Sequence, residues 1–448
     1  MSLSFPLTAL EECHYWQDRP AYPWSLFARL KFSGCLDQSA FKAAVATVLA
    51  RHPLLTAKVG VEGRRQLRWF LVDDPEPMIH WETGPLGGPL PPAAHQDLQR
   101  EIGIRFHVRA DGSGSELTIQ FHHACSDGIG GCLFVEDLLL AYALACGEGP
   151  GQVELRPLDP GKLGGRGRFG LTLSTLLRMA PQQLVGIFRG AQCLTRRPVP
   201  LTPHCAGPND DTPPQNYPAT LHYALDEEST IRLRRTAKHL SVTLNDLLVR
   251  DLFLALAEWR SRQNIEDDGH WLRMAIGMNL RRADDHLLPV ANAASGVFLD
   301  RRGSDFADAG QLLRSVHKEM ALVKRWRLGL TFIFFANIGQ WLNGGKGERF
   351  RANEPGWTCA LTNLGEPFAR LPLSDGDGRV VAGNVTLEAI DFAAPTAPRC
   401  CVTVGVIGYA RRLGLTLHYD PRPLSAEQAA DLLDTYVRRI RTSMAEPH

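Results

Sequence analysis

Two adjacent histidines followed at fixed spacing by an aspartate and a glycine, Phe121-His122-His123-Ala124-Cys125-Ser126-Asp127-Gly128, are the residues of this chain best suited to chemistry. A neutral imidazole titrates near working pH and can take a proton from a hydroxyl or amine as that group attacks a carbonyl. Neighbouring residues leaving a strand point to opposite faces, so His122 and His123 have different tasks: one faces a cleft, the other props the turn. Asp127 before Gly128 suits a tight turn, and a carboxylate buried there needs a cationic partner. Cys125 offers a rival chemistry, a thiol nucleophile with one of the histidines as its base. No orienting third group stands at a recognisable spacing, and a small thiol in a buried turn is the simpler account. Metal binding by His122, His123 and Asp127 is disfavoured because adjacent strand side chains diverge and no fourth ligand cluster is evident; no metal is expected.

The elements around the motif follow from periodicity. Residues 116–121 alternate apolar and polar as a half-buried strand does, and residues 132–140 read as a buried helix, so the motif occupies the turn between a strand and a helix. Residues 104–108 and 117–121 form a hairpin through Asp111-Gly112. Earlier, residues 25–32 read as a strand, and Asp37 caps a helix with Phe41, Ala44, Val45, Val48 and Leu49 on one face. Arg51-His52-Pro53 closes that helix, with His52 structural. Residues 63–72 suggest further strand, 84–92 a Gly/Pro loop, and 146–151 the end of a first half.

Glycine and proline dominate both ends of residues 151–219, which read as a linker between halves. Its apolar segment, 171–193, is expected to be interrupted at Pro181 and to pack in the core rather than against lipid. Gly164-Gly165-Arg166-Gly167-Arg168 follows a loop and not a strand, which excludes a nucleotide-binding loop. The second half runs from a strand at 220–225 through a capping box, Thr243-Leu244-Asn245-Asp246, to a helix. A strand then ends in Asn279-Leu280-Arg281-Arg282, helices cover 306–323 and 328–342, and a strand holds Thr362-Asn363-Leu364-Gly365. A hairpin at 402–409 and 413–419 and a helix capped at Ser425 close the chain.

His122-His123-x-x-x-Asp127-Gly128 resembles the signature of the chloramphenicol acetyltransferase-like superfamily, which includes condensation domains of peptide synthetases, alcohol acyltransferases and wax-ester synthases. Arg51-His52-Pro53-Leu54-Leu55, the Thr-Leu-Asn-Asp helix start, the Asn-Leu-Arg strand end and Thr362-Asn363-Leu364-Gly365 are similar to further segments of that family, so the likeness runs from about residue 5 to 441. It implies an α/β (α+β) fold of two similar subdomains, 1–150 and 220–448, in a V-shaped pseudo-dimer around a central tunnel. It also implies His123 as general base, with His122, Asp127 and Gly128 as support and Arg281 as the partner of Asp127. Thr362 or Asn363 is its candidate contact to the oxyanion or substrate.

Composition bounds the rest. A chain of 448 residues with 44% hydrophobic content can bury an ample core, and a net charge of +1 gives no broad electrostatic case for nucleic acid. Ten cysteines without a C-x-x-C pair read as reduced thiols, so no structural disulfide is expected. The start, Met1-Ser2-Leu3-Ser4-Phe5-Pro6, lacks a signal peptide's basic region and apolar run, which points to a cytoplasmic protein with at most peripheral membrane contact. The expected function is a stand-alone acyltransferase moving an acyl group from acyl-CoA or an acyl carrier protein to a hydroxyl or amine acceptor. It needs no tightly bound cofactor and no covalent enzyme intermediate; the phosphopantetheinyl thioester is a co-substrate. The alternatives are a free-standing condensation enzyme joining carrier-bound substrates and a non-catalytic relative that binds an acyl chain or a peptidyl carrier protein.

Overall fold

A computed structural model describes residues 4–63, 66–88, 95–147, 153–171, 173–203, 214–265, 269–342 and 356–445. The first part of the chain forms β1 (Ser4–Pro6), α1 (Ala9–Gln17), β2 (Ser25–Ser33), α2 (Gln38–Leu49), β3 (Ala57–Glu62), β4 (Gln66–Leu71), β5 (Met78–Thr83), β6 (Ile104–Ala110), β7 (Gly114–His122) and α3 (Gly128–Ala145). Then come α4 (Leu173–Thr195), β8 (Ala219–Leu225), α5 (Glu227–His239), α6 (Leu244–Arg262), β9 (Leu272–Asn279), β10 (Ala294–Arg301), α7 (Ala309–Arg325) and α8 (Gly329–Leu342). The chain closes with β11 (Cys359–Asn363), β12 (Val381–Ala382), β13 (Val385–Ala393), β14 (Val402–Tyr409), β15 (Arg412–Tyr419) and α9 (Ala426–Ala445).

Two six-stranded sheets carry the fold, ordered β12-β13-β2-β7-β6-β5 and β10-β9-β11-β14-β15-β8, with a three-stranded sheet β1-β4-β3 beside the first. Each large sheet owns a core. In the first, α2 and α3 pack on each other over Leu30, Phe106, Ile119 and Phe121. In the second, α6 is flanked by α7 and α9 over Met274, Val404 and Leu415. β7 is buried along its whole length, so its polar residues need internal partners: Glu116 pairs with Arg29 at 2.7 Å and Gln120 donates to Ser25 Oγ at 3.0 Å. By length and composition α3 is apolar enough to cross a membrane, yet most of its side chains are buried as the central core helix of the first half.

Three expectations need correction. The division at residue 220 gives everything after it to the second half, but β13 leaves that half to pair antiparallel with β2, and β12 pairs antiparallel with β13 at the edge of the same sheet. Gly405 on β14 makes the crossing feasible: a Cβ there would sit 2.2 Å from the carbonyl oxygen of Phe392 on β13. Second, Pro181 does not interrupt the linker helix, since α4 runs through it from Leu173 to Thr195. Third, its apolar residues are not all in the core. Met179 packs with Leu10, Phe169 and Ile333, whereas Leu184 and Phe188 are 65% and 64% exposed.

The glycine-rich run in the linker is anchored by Arg166, whose guanidinium donates to both carboxylate oxygens of buried Glu11 on α1, at 2.6 and 2.7 Å. Residues 89–92 and 148–151, expected as loop and as the end of the first half, lie outside the described residues in whole or part. The nine described cysteines are free thiols.

Candidate active site

β7 delivers His122 at its last position, and α3 begins at Gly128, so the motif occupies the turn between them. Asp127 is the N-cap of α3: its Oδ1 accepts from Gly130 N at 2.7 Å. Its Oδ2 accepts from Arg281 Nη1 at 2.8 Å and from Ala293 N at 2.7 Å. One carboxylate thus caps a helix of the first half and bonds twice to the second. Arg281 also donates to Ala291 O at 2.8 Å. Both side chains are largely removed from water, which makes the ion pair and its hydrogen bonds worth more than a surface pair.

The glycines that follow are there for contact between halves. A Cβ on Gly128 would stand 2.6 Å from Leu364 Cδ2, and one on Gly130 would stand 3.2 Å from Ala291 O. Gly131 meets Phe392 of the crossing strand at 2.8 Å in the same way.

His122 and His123 do diverge. His122 is buried; its Nδ1 accepts from Ala124 N at 3.1 Å, and its Nε2 lies 3.2 Å from Asp18. Asp18 also meets His95 Nε2 at 2.6 Å and accepts from Trp24 N at 2.7 Å. Burial alone would raise the Asp18 carboxyl, but the two imidazoles hold it well below the ordinary carboxylate range. His122 is therefore a prop, tied through Asp18 to the end of α1.

His123 is half-buried. Its backbone N–H donates to Trp24 O at 2.8 Å. Its Nδ1 lies 2.9 Å from the carbonyl oxygen of Ser126. A carbonyl only accepts, so Nδ1 carries the proton and Nε2 holds a lone pair, with no hydrogen-bond partner among the described residues. Burial pushes its pKa below the usual imidazole value, which keeps the ring neutral at pH 7. The arrangement can accept a proton at Nε2.

Three contributors carry no sequence signal of the kind used above. His14, in the last turn of α1, stacks on His123 with ring centroids 4.2 Å apart and planes 14° from parallel. Trp24 Nε1 donates to His14 Nδ1 at 2.8 Å and so fixes that ring's tautomer. Residues 290–293, between β9 and β10, form the third. Val290 N donates to His52 Nδ1 at 3.1 Å, Asn292 Nδ2 donates to His123 O at 2.7 Å, and Ala291 and Ala293 bind Arg281 and Asp127 as described. Four consecutive residues of the second half thus clasp the motif and its supports, Asn292 and Ala293 bonding to His123 and Asp127 and Val290 and Ala291 to His52 and Arg281. An asparagine in a run of small apolar residues after Pro289 is the one oddity that points there.

Thr362 and Asn363 stand on β11, but their side chains are engaged within the second half. Asn363 Oδ1 accepts from Gly365 N at 3.0 Å, its Nδ2 donates to Asn245 Oδ1 at 3.3 Å, and Thr362 lies over Gly277. Their neighbour Leu364, just past the end of β11, touches the motif at Gly128. Cys125 is fully buried, and burial, with Glu11 nearby, pushes its thiol well above the ordinary value, which makes it a poor nucleophile.

No family profile matches the chain. It is 28% identical over 272 residues to an uncharacterized protein of Mycobacterium tuberculosis, present in two strains, a match covering 59% of this chain and 59% of the relative. Solved structures are alike over nearly the whole chain. Trichothecene 15-O-acetyltransferase from Fusarium sporotrichioides superposes with a TM-score of 0.71 at 12% identity, over 98% of this chain and 95% of that one. The first condensation domain of the calcium-dependent antibiotic synthetase gives 0.71 at 15% identity, over 100% and 97%. The starter condensation domain of rhizomide synthetase, solved with C8-CoA and Leu-SNAC, gives 0.67 at 12% identity, over 99% and 95%. At these identities the likeness is one of fold, and the chain has the two-subdomain chloramphenicol acetyltransferase-like condensation fold.

Proposed function

We propose that this protein transfers an acyl group from a thioester to a hydroxyl or amine acceptor, with His123 as the general base. The observation that carries the reading is the Nδ1–H to Ser126 O bond, which leaves the Nε2 lone pair on a partly buried, neutral ring where the two halves meet. His123 Nε2 takes the proton of the acceptor as its oxygen or nitrogen attacks the thioester carbonyl. The tetrahedral adduct collapses with cleavage of the C–S bond, and the imidazolium returns its proton to the leaving thiolate. No enzyme side chain is acylated. His14, Trp24 and Asn292 hold the imidazole in place, and binding both substrates beside it supplies much of the rate enhancement. The thioester is acyl-CoA or an acyl carrier protein; the resemblance in fold to a starter condensation domain solved with C8-CoA and Leu-SNAC supports a thioester donor in general.

The test is mass spectrometry of products formed by the purified chain from a panel of acyl-CoA and acylated carrier donors with mixed alcohol and amine acceptors. An ester or amide product that disappears in His123→Ala is the expected result. Products formed only from aminoacyl carriers would favour condensation between carrier-bound substrates. Unchanged turnover in His123→Ala would remove the general-base role.

A further inference from the structure

Among the described residues β5 is the outer strand of the first sheet, hydrogen-bonded on one side only. It runs parallel to β6 in a register that sets His80 directly beside His107, and their rings lie 4.4 Å apart. Residues two apart on a strand share a face, so Glu82 joins them. Its Oε2 is 3.7 Å from His80 Nε2, and one ligand-competent atom from each of the three residues lies within 4.8 Å of the others. Ile79 and Trp81 point the other way, into the core.

We propose that His80, Glu82 and His107 form a binding site for one divalent transition-metal ion of the zinc class. Two imidazoles and one carboxylate suit zinc and its neighbours, and do not suit calcium or magnesium, which take oxygen ligands. Bonds of about 2 Å bring tetrahedral ligand atoms to roughly 3.3 Å from one another, so small rotations of three side chains on a rigid strand pair close the site. Arg109, next along β6, donates from Nε to Glu82 Oε1 at 2.6 Å. That bond leaves Oε2 turned toward His80 and orients the carboxylate as outer partners of metal ligands do. The Arg109 hydrogen bond also holds Glu82 below the ordinary carboxylate range, while burial, with His80 adjacent, holds His107 below the ordinary imidazole range. Carboxylate and imidazole alike are then in their ligating forms at pH 7. With Glu82 partly and His80 largely exposed, the remaining coordination position is open to water.

The site is distinct from the motif. His107 lies opposite Thr118, set back along β7 from His122. An ion shared by β5 and β6 would pin the open edge of the sheet, which is where a strand bonded on one side is most easily lost.

The experiment is equilibrium dialysis and calorimetric titration of the tag-free full chain with zinc chloride at pH 7.5, with cobalt absorption as a second readout. Wild type is expected to bind one equivalent that His80→Ala/His107→Ala loses. Glu82→Gln is expected to weaken binding at least ~10-fold. Zinc should raise the melting temperature of wild type more than that of Glu82→Gln and leave that of the double variant unchanged. Binding by the double variant equal to wild type, or no binding by wild type, overturns the proposal. Should the double variant fail to fold, Glu82→Gln decides on its own, because an unchanged isotherm there is equally fatal.

Discussion

His52 and His123 are both tucked against residues 290–293 of the second half, and burial holds both below the ordinary imidazole pKa. They differ in the direction of one hydrogen bond. His52 Nδ1 accepts from Val290 N, so its proton sits on Nε2, 3.2 Å from Asp137, in a pocket without solvent. His123 Nδ1 donates to Ser126 O, so its lone pair sits on Nε2 of a partly buried ring. Neutrality therefore does not distinguish a proton acceptor from a prop; the partner of Nδ1, and access to Nε2, do.

The widest separation between the two regions is expected from alanine substitutions. His123→Ala should lower acyl transfer by ~10²–10⁴-fold, the range of general-base catalysis, with a smaller loss of stability than His52→Ala causes. Product formation against time, beside a thermal melt, checks this. Arg281→Ala comes next. It strips Asp127 of its buried countercharge at the seam between halves, and should cost about 3 kcal/mol in a urea titration. His52→Ala inverts the first outcome. It leaves Val290 N and Asp137 without the ring and opens a cavity, for about 2 kcal/mol of lost stability with turnover per folded molecule retained.

The regions also differ in how far the sequence shows them. The strand, turn and helix around the motif are legible because alternation at 116–121, a capping aspartate and an apolar run are local properties. Arg281 is legible by resemblance, at the end of a recognisable strand, and its side chain does reach Asp127. His14 is not, because nothing in residues 9–17 says which ring it will lie against. Nor is the clasp at 290–293, whose backbone N–H and C=O groups make most of its contacts and are the same in any sequence. The crossing of β13 and the His80 to His107 pairing are matters of register between strands distant in sequence, which periodicity leaves open.

Acid should act on both regions together. His14, His52 and His123 are held neutral mainly by burial, and burial lowers His418 to about 4. The unfolded chain, with imidazoles near their ordinary value of about 6.5, binds more protons than the folded one between the two values. The contribution of these four rings to stability is therefore full above about pH 6.5 and falls as pH drops through that window, with raised His95 and Glu136 opposing it in part. Chemical denaturation at pH 7.5 and at pH 5.5 measures it, and equal midpoints would sink the assignment of neutral buried rings.

The smallest effect, and the one that most sharpens the contrast with His52, is at His14. The His123 ring is fixed in rotation by Ser126 O and in tilt by the His14 face, and His14 is in turn held by Trp24 Nε1. A stacked aromatic contact contributes about 1 kcal/mol, so His14→Ala should lower kcat by no more than ~10-fold while KM for the thioester stays near its original value. His14→Phe keeps a flat face against His123 and should recover most of that loss. If His14→Phe is as slow as His14→Ala, the polar edge of His14 and not its face is what His123 uses. His14 would then act on the proton itself, which a shifted acid limb in the rate profile of His14→Phe would reveal.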